Sequence, residues 1–107
     1  MTEVFSECDF LKNINLSNLN TEKVTIMSGM FYECKFIVDL NLSDFNTQNV
    51  KNMELMFSGC RSLTHLNLAN FNTQNVIYMT CILDGCKSLF KNNVLIQDKI
   101  ILCLLFK

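Results

Sequence analysis

Residues 57–82 read FSGCRSLTHLNLANFNTQNVIYMTCI, and residues 31–56, directly before them, read FYECKFIVDLNLSDFNTQNVKNMELM. The two stretches match at 12 of 26 positions with no insertion, and residues 5–30, FSECDFLKNINLSNLNTEKVTIMSGM, keep the same register. The matches fall in columns: Cys8, Cys34, Cys60 and Cys86; Leu16, Leu42 and Leu68; Asn20, Asn46 and Asn72; Thr21, Thr47 and Thr73; Val24, Val50 and Val76; Met27, Met53 and Met79. A unit of 26 residues cannot bury an apolar face alone, so strict repetition means that neighbours stack and share one core. The period therefore predicts a repeat solenoid.

Within a unit, Leu63, Leu66 and Leu68 are spaced L-x-x-L-x-L and followed by Phe71; the alternation suits a short strand with one buried face. Val50, Met53, Phe57, Cys60 and Leu63 then recur at separations of three and four, which predicts a short helix starting beside Asn and Thr residues able to cap it. Gly59 lies near the expected helix end, where a left-handed residue is often needed. Each unit reads as strand, turn, short helix, turn.

The repeats account for residues 1–91, as units 5–30, 31–56, 57–82 and a partial 83–91. Asn92 stands where a core leucine is expected, and residues 92–107 read as a degenerate apolar tail without a clean period. Such a tail suggests a fragment or a shifted reading frame near residue 90, a reading that a normally packed closing strand would count against.

The pattern L-x-x-L-x-L-S-x-F-N-T-x-N-V-x-x-M-x-x-M-F-x-x-C resembles the leucine-rich repeat of BspA-type bacterial and protozoan surface proteins, over roughly residues 5 to 91. The resemblance implies an α/β arc with parallel strands on the concave side and short helices on the convex side. It also implies a cell-surface or secreted adhesin that binds proteins of a host or a neighbouring cell. Neither an export signal nor a membrane anchor is seen in this sequence, and its last apolar run, Ile100 to Phe106, is too short to span a bilayer.

Composition narrows the function from the other side. Nine Lys plus Arg against ten Asp plus Glu provide no basic surface for nucleic acid. One histidine, three glycines and no proline leave neither a His-rich metal cage nor a Gly-rich phosphate loop, so no cofactor is expected. No C-x-x-C pair occurs among the six cysteines. Their column reads as buried apolar filling, with disulfides between units as the alternative. Pairing one of them with His65 as nucleophile and base is disfavoured, because His65 belongs to the outward side of the strand. The methionines follow the core column. The Asn and Thr columns suit a ladder satisfying backbone groups at turns, with a patterned-ligand array as the other reading.

What varies between units is left for recognition. The strand residues expected to point outward are Asn13, Asn15 and Ser17; Asp39, Asn41 and Ser43; His65, Asn67 and Ala69; and Lys91 and Asn93. They make a small polar face with a mixed-charge column, Asn13, Asp39, His65 and Lys91, able to hydrogen-bond a protein or glycan without strong charge selection. The reading is a non-enzymatic protein-binding module; the alternative is a structural repeat fragment with no ligand of its own.

Overall fold

The computed structural model describes residues 14, 16, 19–90, 93–98 and 101. Three short strands, β1 (Asp39–Asn41), β2 (His65–Leu68) and β3 (Val94–Ile96), form one parallel sheet in the order β1-β2-β3. Alternation sets their faces: Leu40, Leu66 and Leu68 point into the core, while Asp39, Asn41 and His65 are exposed. Asp39 lies opposite His65 and Asn41 opposite Asn67, an offset of one 26-residue unit. Two pairs of rings, also one unit apart, stack inside: Phe31 on Phe57 at 5.8 Å and Phe45 on Phe71 at 6.5 Å between centroids.

The register then shifts. Leu66 pairs with Val94, 28 residues on, and Leu68 with Ile96, so two extra residues enter before β3. An even shift preserves which face each side chain occupies. Val94, not Asn92, takes the core place of Leu66, and it is buried while Ile96 packs against the same core. Asn93 and Leu95 therefore succeed His65 and Asn67 on the outer face.

The expected arc of strands backed by convex helices is not what the chain forms. Residues 50–63, read as helical from their spacing, contain no helix; they run as consecutive turns. Met56, Cys60 and Leu63 donate N–H bonds three residues back, to Met53, Phe57 and Cys60. The N–H groups of Met53, Leu55, Phe57 and Gly59 instead leave the segment and donate to Tyr78, Thr80, Ile82 and Asp84 of the next coil, at 2.7–3.1 Å. A helix needs those donors internally, and bonding between coils takes them. Leu55 at φ 58° and Gly59 at φ 82° are left-handed, which breaks the helix twice within four residues. Helical structure among the described residues is confined to isolated positions, and the result is a compact globule with an open sheet. Its radius of gyration is 12.2 Å, close to the about 13 Å of a compact domain of this length.

Candidate functional site

The outer face of the sheet holds a shallow depression of about 330 Å³ lined by Asp39, Asn41, His65, Leu66, Asn67, Asn93 and Leu95. Five of the residues expected from the sequence, Asp39, Asn41, His65, Asn67 and Asn93, come together there. Ser43 does not; it sits in the following turn, where its N–H donates to Asn41 and its carbonyl accepts from Asn70. Asn13, Asn15, Ser17 and Lys91 lie outside the described residues. The 28-residue step brings Asn93 into the position next to His65 that a strict repeat would give to Lys91.

The polar groups of this face are held in place. Asn41 Oδ1 accepts from the N–H of Ser43 and Asn67 Oδ1 from that of Ala69, both across two residues, so each amide keeps its Nδ2 donors for the open side. The Thr64 hydroxyl lies 3.2 Å from the Val38 carbonyl and 2.9 Å from His65 Nδ1, a contact that anchors the ring. Leu95, 60% exposed, supplies an apolar wall. Nothing in the repeat pointed to Leu95, because the signal that places it is the two-residue insertion before β3.

The other candidate columns are engaged internally. Thr21 and Thr47 each donate a hydroxyl hydrogen to the carbonyl of the Asn 25 residues on, Asn46 and Asn72, and accept that residue's N–H in return. At the last step Asp98 takes over, accepting from both the N–H and the hydroxyl of Thr73 at 2.8 and 2.6 Å. Asn46 and Asn72 close turns on Gln48 and Gln74. Buried hydroxyls so committed are not a ligand array.

The cysteine column is packed rather than poised. Cys34 and Cys60 are wholly buried, and the thiols of Cys60 and Cys86 donate to the carbonyls of Phe31 and Phe57. The neighbouring Cys86 thiol, and then burial, push the Cys60 thiol far above its ordinary range. At exposed Cys81 the neighbouring Asp84 carboxylate also raises the thiol. The same contact with Cys60 lowers the Cys86 thiol, but that thiol is committed to the Phe57 carbonyl, and none of these cysteines lines the depression that holds His65. Among the described residues no group of three or more His, Cys, Asp or Glu side chains is arranged to hold a metal ion. No helix among them is long and apolar enough to cross a membrane.

Residues 1–98 match the family model described as Mycoplasma protein of unknown function, DUF285. The chain belongs to that family. The match to DUF285 takes in all three strands and stops at Asp98, the carboxylate that ends the threonine ladder. No curated protein and no solved structure matches the chain.

Proposed function

We propose that the exposed face of the sheet binds a protein, and that the chain is a non-enzymatic recognition module of a cell-surface or secreted adhesin. The observation that carries this reading is the depression itself. Oriented amide donors from Asn41 and Asn67, the imidazole of His65 and the carboxylate of Asp39 surround the exposed Leu95. An apolar anchor rimmed by fixed polar groups is the composition of a protein interface. The surface-protein setting comes from the resemblance of the repeated pattern to BspA-type proteins.

The test is binding of the fluorescently labelled chain to intact host-type cells, with and without protease treatment of the cells. A protein ligand predicts saturable binding that protease removes and that the double variant Asn67→Lys, Leu95→Glu loses with an unchanged far-UV spectrum. Saturable binding to protease-treated cells overturns the protein ligand. Binding to neither, or equal binding by the variant, leaves the sheet face as a solvated surface of a structural repeat.

A further inference from the structure

Each thiol of the cysteine column is held beside the cysteine of the coil before it. Cys60 Sγ and the Cys34 N–H both donate to the Phe31 carbonyl, and Cys86 Sγ and the Cys60 N–H both donate to the Phe57 carbonyl, all at 3.1–3.2 Å. Next to the second of these pairs, the Gly59 N–H donates to the Asp84 carbonyl at 2.7 Å and ties the two coils together. Backbones bonded in this way stand about 4.8 Å apart, within the span of about 4.4–6.8 Å that a disulfide bridges between Cα atoms.

Solvent reaches only the end of the column. Cys34 and Cys60 are wholly buried, whereas Cys86 is partly exposed and lies on the wall of a depression of about 390 Å³ with Cys81, Asp84 and Lys87. Contact with Cys60 lowers the Cys86 thiol, and ionisation gives up its bond to Phe57. Cys81 opens on the same depression, but the Asp84 carboxylate holds its thiol up. A thiolate within reach of solvent is the form that a peroxide oxidises.

We propose that Cys60 and Cys86 form an oxidation site, which hydrogen peroxide converts into a disulfide that staples one coil to the next. The Cys86 thiolate attacks one peroxide oxygen; the O–O bond breaks, hydroxide leaves and Cys86 becomes a sulfenic acid. The Cys60 sulfur then attacks the Cys86 sulfur, and the displaced hydroxide takes the Cys60 proton and departs as water. The two thiols lose two electrons between them, and the peroxide, taking up both thiol protons, is reduced to two waters. Buried Cys60 meets no oxidant except through Cys86. The pair is separate from the sheet face proposed above, and either can fail without the other.

Peptide mapping of the full chain tests it. The folded chain is treated with hydrogen peroxide, the remaining thiols are blocked, and the protein is digested without reductant. Trypsin cuts after Arg61, between Cys60 and Cys86, and an aspartate-directed protease cuts before Asp84, between Cys81 and Cys86. The expected product is a pair of fragments joined through Cys60 and Cys86, two hydrogen atoms lighter than their sum and separated by dithiothreitol. In Cys60→Ala, oxidation stops at a Cys86 sulfenic acid that a 1,3-dione reagent traps; in Cys86→Ser, Cys60 stays reduced. The native chain by itself decides the pairing, whatever the folds of the variants. Three results overturn the proposal. Cys60 still reduced after the peroxide treatment means that no staple forms. Cys86 joined to Cys81, or to another chain, assigns its oxidation to a different partner. A Cys60–Cys86 bond that forms only in urea means that the folded backbone holds the two sulfurs apart.

Discussion

Thr47 concentrates the internal logic of the molecule in one hydroxyl. Its side chain is 1% exposed, gives its hydrogen to the Asn72 carbonyl at 2.9 Å and accepts the Asn72 N–H at 2.7 Å. Thr47→Val keeps the shape and strands both backbone groups, which costs about 2 kcal/mol or more. Thr47→Ser keeps the bonds and loses one methyl, about 1 kcal/mol. Urea titration of the pair checks the order; equal losses would mean that the methyl, not the hydroxyl, matters. Cys60 makes a second residue-scale prediction. With its thiol held up first by Cys86 and then by burial, the folded chain keeps a proton that the unfolded chain releases above about pH 8.5. That stabilisation is complete below that range and is lost as pH rises through it, while the lowered Cys86 thiol offsets part of the loss. Urea midpoints between pH 7 and pH 10 should fall for the native chain and fall less for Cys60→Ala.

At the scale of elements, the turns decide the architecture, and they are where the sequence was least legible. Spacing of three and four put Met53, Phe57, Cys60 and Leu63 on one side, and all four are buried. A run of turns that dips into the core every third or fourth residue leaves the same imprint as a helix. What separates the two is where the N–H groups go, and the alternate donors of this segment go to the next coil. The strands were legible because Leu40, Leu66 and Leu68 alternate with polar residues, and so were Asp39, Asn41, His65 and Asn67 of the candidate site. Leu95 was not, since a two-residue insertion changes no composition, only register. The left-handed position at Gly59 was visible, though as a helix end. A Cβ built there at φ 82° lies 2.5 Å from Glu33 Oε1 and 3.2 Å from its Cα. The carboxylate can swing away, but the backbone contact and the dihedral remain. Gly59→Ala is therefore expected to cost about 1–2 kcal/mol, against about 1 kcal/mol for Gly85→Ala. Gly85 shares the left-handed φ, at 78°, but its nearest neighbours, Gly59 Cα and N, lie at an ordinary 3.4 Å. Thermal denaturation of the two variants reads the difference.

Over the whole molecule, stability follows from each coil being covered on both sides, so equivalent residues are not energetically equivalent. Met53 has a coil above and below it and no exposed surface; Met79 has the same sequence position one unit later and is only partly covered. Met53→Ala should open a cavity in a layer that cannot collapse, at about 2–4 kcal/mol, while Met79→Ala removes contacts on one side only and should cost about 1 kcal/mol. The comparison needs no ligand and reads the open end directly: urea unfolding of both variants at one protein concentration, repeated at tenfold higher concentration. A Met79 penalty that stays near 1 kcal/mol at both leaves the last layer bare in the isolated chain. A penalty that climbs towards that of Met53 at the higher concentration means that another copy has closed over it, because only a covered methionine leaves a full cavity behind.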